Sequence, residues 1–473
     1  MPVVPTEPDV PTAGATDEPG TTGTAPDAGS RGTVLTDLRD LGRRAGFRKL
    51  MAARLTSQLG DGMFQVGLAS LFFFSATTSP KGVTATQVAA AFAVMLLPFT
   101  IVGPWAGVFL DRWRRRQVLV LGNLVRLVLA AALTVVMATT GVNLAVYVLA
   151  LTALSVNRFL LSAFSASLPH VVPRSHLLTA NALVPTLGSI AAGVGGAVGF
   201  VTRLALPDGR AQDAGALAFA AVAFGASSLL ATRFDRSALG PEVVRSRDEL
   251  RAELARTGRD LVDGARYLLV RRTPAQGLGV VFATRFLYGM VFIAWLLQCR
   301  NLLSDPSDVD AGAVKFASVL GATGLGFGLA VVLTPTLSRY TGPQRWIVGC
   351  LGLGAVAQAL TVHVALPTIL VASTLLGLAA QGAKIAVDTI VQRDVDDAFR
   401  GRAFALYDVL YNAGFVGSAA LAAATLPDDG DAPGVLAAMA VAYVVLAVVL
   451  GRWGARTAAP VDPASWGRTA EAR

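Results

Sequence analysis

Residues 107–117 read GVFLDRWRRRQ, which sets one acid and four arginines between two long apolar runs. In a chain of 473 residues that is 53% hydrophobic and only 15% charged, such a knot of charge marks a place where the polypeptide leaves an apolar medium. A mean hydropathy of +0.57, with 48 glycines, is too apolar for a soluble domain of ordinary charge content. The chain reads as a membrane protein. A bilayer core about 30 Å thick needs about 20 apolar residues per helix. On either side of the loop, apolar runs of that length fall at 50–75, 86–108, 117–139, 143–166, 180–202 and 213–231. A polar, arginine-rich segment at 232–275 comes next, and then runs at 276–299, 314–337, 345–363, 367–391, 402–424 and 434–453. The expectation is an all-α integral membrane fold of twelve transmembrane helices in two pseudo-symmetric six-helix bundles, 46–231 and 276–456.

Cations set the orientation. Alternate connections carry thirty Lys and Arg on one side and five on the other, and the last loop of the poorer side, LPDDGDAPG, is acidic. This asymmetry predicts a multi-pass protein of the plasma (inner) membrane with both termini and the 232–275 linker in the cytoplasm. The net charge of +9 is then topology and attraction to anionic lipid, with no nucleic-acid partner required. Residues 1–45, rich in Pro, Thr, Gly and Asp, read as a disordered cytoplasmic tail, and 457–473 as a second tail. Within the linker, Leu250, Leu254, Leu261 and Leu268 recur at helical spacing among charges, which predicts an amphipathic interfacial helix.

The two halves resemble each other, as expected of a transporter with its site between paired repeats. LSAFSASLPHVVPRSHLLTANAL (161–183) lies over KIAVDTIVQRDVDDAFRGRAFAL (384–406), and LDRW (110–113) over LSRY (337–340), which sets Arg339 at the place in the second half that matches the opening loop.

The opening loop resembles the signature of the major facilitator superfamily, Gly-x-x-x-Asp-Arg-x-Gly-Arg-Arg between the second and third helices. Gly107, Asp111, Arg112, Arg115 and Arg116 fill the pattern, and Arg114 stands where a second glycine is usual. The first helix, RLTSQLGDGMFQVGLASL, and the RGRAFAL start of the eleventh further resemble the macrolide-efflux and enterobactin-exporter branch of drug:proton antiporters. The resemblance implies a latch between the halves at the cytoplasmic face, made by Gly107, Asp111, Arg112, Arg115 and Arg116 with Arg339 and Asp408. Arginines in such a loop also anchor topology, a task that needs no acid, so Asp111 and Arg112 are the sharper candidates.

Charges inside the spans cost about 2.5–3.5 kcal/mol each and ask for a function or a partner. Asp61, between Gly60 and Gly62 in the first span, is either the proton-coupling acid or one half of a fixed pair with Arg126 in the third. Arg158 in the fourth span sits about 15 Å from the cytoplasmic end, too deep to snorkel, and is expected in the cavity with Arg285 of the seventh. Lys384 and Asp388, four apart on one helical face, either neutralise each other or leave Lys384 for substrate. Phe64, Phe92, Phe286, Tyr288 and Trp295 are expected on the cavity wall, suited to an amphiphilic organic solute. Small residues at Gly188, Ala192 and Gly196, and at Gly195 and Gly199, predict close packing of the fifth span against a helix of the second half.

Nothing in the chain points to an enzyme. There is no phosphate-binding glycine loop ahead of a Lys-Ser/Thr pair, the three histidines have no ligand spacing, and the two cysteines support neither a disulfide nor a metal site. The expected function is proton-coupled efflux of a small amphiphilic compound by alternating access, with no cofactor, the proton gradient as energy source, the lipid bilayer as surroundings, and a monomeric state. An uptake or facilitated-diffusion carrier of the same fold, or a membrane sensor or scaffold that does not transport, is the alternative.

Overall fold

Inside a bilayer each backbone N–H and C=O must be satisfied within its own segment, which favours helices. The computed structural model describes residues 34–74, 82–101, 113–173, 176–207, 209–240, single positions between 259 and 268, 272–395 and 397–457. The first half supplies α1 (Val34–Arg43), α2 (Ala45–Phe73), α3 (Ala85–Ile101), α4 (Arg115–Thr139), α5 (Leu144–Ser167), α6 (Leu177–Ala205) and α7 (Arg210–Thr232). The second supplies α8 (Arg272–Leu297), α9 (Val309–Thr341), α10 (Pro343–Leu360), α11 (Leu366–Asp394), α12 (Asp397–Thr425) and α13 (Pro433–Thr457). There is no strand among the described residues. Eight of these helices are long and apolar enough to cross a membrane, and α2, α3, α10 and α12 occupy the positions in chain order where the remaining spans are expected.

Side-chain pattern fixes which face of each helix turns inward. On α4, Leu119, Asn123, Arg126, Ala130, Leu133 and Met137 recur every three or four residues and are buried, while Leu121, Leu124, Val125 and Val128 are exposed on the opposite face. An exposed apolar face of this kind is a lipid surface. The α13 helix does the same with Val441, Val444, Val445, Val448 and Val449.

The sequence repeat reappears in the packing. In the first half α2 packs on α6, α3 on α5, and α4 on both α5 and α7. In the second half α8 packs on α12, α9 on α11, and α10 on both α11 and α13, which is the same scheme six helices later. The α3 and α12 helices pack on each other and join the halves.

Two expectations change here. Order begins before residue 46: α1 is helical and its Leu41 is fully buried with Phe47, Leu119 and Phe164 at the linker end of the first bundle. Leu35, Leu38 and Leu41 at intervals of three already mark a helical face. The glycine stripe of α6 faces α2 of its own half and not the second half. A Cβ at Gly199 would lie 3.2 Å from the Met63 Cα, and one at Gly62 would lie 2.5 Å from Gly196 N and nearer still to the Ala192 carbonyl. The same would hold at Gly188 against Gln58 and at Gly195 against the Leu59 carbonyl. The linker helix and the 457–473 tail lie essentially outside the described residues.

Candidate functional site

The first bundle holds a buried polar network around Asp61. The inward face of α4 brings Arg126 to the middle of α2, where its guanidinium donates to the Asp61 carboxylate, with the two side chains 1% and 6% exposed. Arg126 also donates to Ser57 Oγ at 3.3 Å, Ser57 donates to Asn123 Oδ1 at 3.0 Å, and Asn123 Nδ2 donates to the Leu119 carbonyl at 2.9 Å. Asn157 of α5 is buried close to the Asp61 carboxylate. The Arg126 guanidinium lies 3.6 Å from the Phe224 ring centroid, and a Cβ at Gly60 would lie 2.7 Å from that ring. The glycines beside Asp61 thus make room for neighbouring helices, α7 at Gly60 and α6 at Gly62, more than for the carboxylate itself.

A second set of charges faces the gap between the bundles. Arg158 on α5 donates to Asp408 on α12 at 3.4 Å, joining halves 250 positions apart, and the two side chains remain 25% and 57% exposed. Asp408 lies eleven residues into α12, about 16 Å along its axis. Its side chain therefore borders open space well inside the chain and not packed protein. Lys384 and Asp388 pair at 2.9 Å on α11, and Lys384 Nζ sits 5.4 Å from the Tyr407 ring centroid. Arg285 lies among rings, 4.4 Å from the centroid of Tyr411, 4.7 Å from Phe415 and 5.3 Å from Tyr288. Arg285, Tyr288, Lys384, Tyr407 and Tyr411, together with Thr284 and Gln381, line a pocket in the second bundle.

Toward the far end, away from the linker, aromatic rings close this gap. Phe92 of α3 packs on Phe292 and Phe415 of the second half, with centroids 5.7 and 5.2 Å apart. Beyond them the seal is polar. Val83 donates from its amide to Asn301 Oδ1 at 3.2 Å, Asn301 Nδ2 donates to the Val83 carbonyl at 2.8 Å, and the Ala85 amide donates to Asp428 Oδ1 at 3.0 Å. The Asp428 carboxylate thereby faces the positive end of α3. Gly82, with φ +107°, is required here twice over, because a Cβ would lie 2.6 Å from Asn301 Oδ1. Arg203 at the end of α6 donates to Asp310 at 2.7 Å and to Ser70, Gln212 donates to Asp310 Oδ2 at 3.1 Å, and Arg300 donates from Nε to the Phe73 carbonyl at 3.2 Å. Asn301 and Arg300 sit in a single π-helical turn, Gln298–Leu302, that ends α8. In the loop between this turn and α9, two hydrogen bonds from Ser307 hold the Asp305 carboxyl below the usual carboxylate range.

The structure therefore joins Asp61 to Arg126, Arg158 to Asp408, and Lys384 to Asp388, and places Arg285 beside the last pair. Gly107, Asp111 and Arg112 lie outside the described residues. Arg115 donates to the Ala166 and Leu239 carbonyls at 2.9 and 3.2 Å, and Arg116 to the Thr232 carbonyl at 3.0 Å, all within the first half. In this state those two arginines knit α4 to the ends of α5 and α7, and Arg339 is exposed at the end of α9. Phe64 and Trp295 are buried in bundle cores and do not line the cleft, whereas Tyr288 does. Arg203, Arg300, Asn301, Asp310 and Asp428 have no role that the sequence assigns. Their only signal is polar residues at span ends, which loops supply in any case.

Two bundles of repeated packing around a charged cleft define a membrane transporter of the two-half type. The chain matches the Major Facilitator Superfamily over residues 50–417 and belongs to that family. It is 35% identical over 413 residues to proteins of Mycobacterium tuberculosis and Mycobacterium bovis, each called an uncharacterized MFS-type transporter, covering 86% of this chain and 92% of the relative. Among solved structures, a bacterial homologue of the iron transporter ferroportin in an inward-facing state aligns with TM-score 0.63 at 16% identity, covering 86% of this chain and 98% of the other. The nucleoside transporter NupG aligns with TM-score 0.61 at 14% identity, covering 85% and 98%. At these identities the solved structures speak to the fold alone.

Proposed function

We propose that this transporter exports a small amphiphilic organic compound across the plasma membrane in exchange for protons, by alternating access. The linker end is cytoplasmic on this reading, as the cation asymmetry expects, and the structure corresponds to a state open to the cytoplasm. The observation that carries the reading is the Arg158–Asp408 contact. It spans the two halves, lies well along both helices, and leaves the Asp408 side chain 57% exposed. Protonating Asp408 removes the attraction that holds the halves at that point, so proton occupancy and bundle separation are coupled by simple electrostatics. Asp61 and Arg126 form the second, more enclosed acid and base pair. Resemblance of the first and eleventh helices to an efflux branch supports export over uptake.

Everted membrane vesicles test this directly. With a proton gradient established, a panel of amphiphilic compounds should include at least one that collapses the gradient in the wild type and not in Asp408→Asn or Asp61→Asn present at equal amounts. Transport of that compound at a rate indifferent to an imposed gradient overturns proton coupling, and uptake toward the cytoplasmic side overturns export.

A further inference from the structure

Charge in the cleft does not balance. Among the described residues, Arg158 is matched by Asp408 at 3.4 Å and Lys384 by Asp388 at 2.9 Å, so these two acids are already engaged by two of the three cations there. Arg285 is the third. Among the described residues it makes no ion pair, and its Nε is buried with no hydrogen-bond partner. What it does have is three aromatic rings, Tyr411, Phe415 and Tyr288, at 4.4 to 5.3 Å from the guanidinium carbon.

Rings and acids use different parts of a guanidinium. Aromatic rings take up the face of the cation through their quadrupole, which helps offset the cost of holding charge in a membrane interior. The N–H donors lie in the plane and point outward in a fork that fits a carboxylate or sulfonate. Ring contacts thus hold Arg285 in place without a counter-charge, and its side chain is only half-buried. Beside it the same pocket offers Tyr288, Tyr411 and the ring of Tyr407 as flat apolar surface, with Thr284 and Gln381 as neutral polar groups.

We infer that this pocket, with about 20 Å³ of open space in this state, is the charge-recognising end of a binding site for an organic anion, a compound with one carboxylate or sulfonate whose aromatic or apolar body lies in the cleft, and that Arg285 is the residue that recognises the charge. The inference rests on the transporter reading for its meaning and narrows the cargo from amphiphiles in general to monoanionic ones. A cationic amphiphile would meet an uncompensated positive charge in this pocket. A neutral one could accept a hydrogen bond from Arg285 but would not balance its charge.

Three probes with one shared body separate these cases: naphthoate, its neutral amide, and naphthylmethylammonium. Equilibrium binding to the purified full chain in lipid nanodiscs should rank naphthoate first. It should be about tenfold or more tighter than the amide, as expected for charge-assisted hydrogen bonds, with the ammonium weakest. Arg285→Gln should weaken naphthoate by about tenfold and leave the amide within about twofold, and Arg285→Lys should retain a preference for the anion. The wild-type ranking needs no variant and stands even if Arg285→Gln fails to fold. Equal binding of the anion and amide, preference for the ammonium, no binding of any probe, or an Arg285→Gln chain that binds naphthoate as before, each overturns the inference. Binding reports neither direction nor coupling. Naphthoate bound as expected by a chain that exchanges no protons in vesicles would leave this site standing and remove the exporter reading, and the converse result would do the opposite.

Discussion

Arg203, at the far end of α6, and Asp310, in the first turn of α9, lie 2.7 Å apart and tie the two bundles together where their other contacts are mainly backbone to side chain. Arg203 is buried and Asp310 is partly exposed, so the pair is worth less than an enclosed one. Asp310→Asn should raise the share of molecules open at the far end by about three- to tenfold, equivalent to about 0.7–1.4 kcal/mol. A cysteine placed at Val83, buried in the same seal, reports this through its rate of reaction with a membrane-impermeant maleimide, since Cys299 and Cys350 are both buried. An unchanged rate would show that the pair contributes nothing to closure.

Glycines of α2 and of its neighbour α6 should differ in what they tolerate. Gly62→Ala sets a methyl against the backbone of α6, which cannot rotate away, and should cost about 1–3 kcal/mol of stability. Gly60→Ala meets the Phe224 ring, a side chain with some freedom, and should cost less. Gly193→Ala, with nothing within 4 Å, should be neutral or slightly stabilising. Thermal melting of the three purified variants checks the order.

Removing one member of an enclosed ion pair leaves the other charged and without its counter-ion. Asp61→Asn and Arg126→Gln should therefore each destabilise by about 3–5 kcal/mol, and the double variant should lose less than the two single losses combined. Additive losses in a double-mutant cycle would mean that Ser57 and Asn157 hold Arg126 and Asp61 independently of each other.

Arg115 ties α4 to two carbonyls of the first bundle, so Arg115→Gln should lower the melting temperature, while Arg339→Gln, at an exposed position, should not. Equal and unchanged melting with lost transport in Arg115→Gln would instead favour a latch between the halves.

Much of the architecture is legible because membrane physics writes it coarsely. Long apolar runs between charged turns mark the helices, and the described helices begin and end within a few residues of those runs. The Lys384–Asp388 pair is legible because its spacing is local. Contacts that depend on how helices come together are not. Nothing in the chain says that Arg158 would find Asp408, 250 positions away, or that the stripe through Gly195 would turn to α2 and not to the second half. Arg203 and Arg300 count as loop cations by charge alone, yet they are 2% and 0% exposed because each finds acceptors on a neighbouring helix or turn.

The π-helical turn at Gln298–Leu302 bears on how the far end can open. Such a turn carries one residue more than an α-helical turn of the same reach, so relaxing it shifts the register of the residues beyond it. Each residue of an α-helix is rotated by about 100° from the last. A slip of one residue here would swing Arg300 away from the Phe73 carbonyl and Asn301 away from Val83 together. Unwinding this one turn would thus undo two contacts of the seal at once, with no tilt of either bundle.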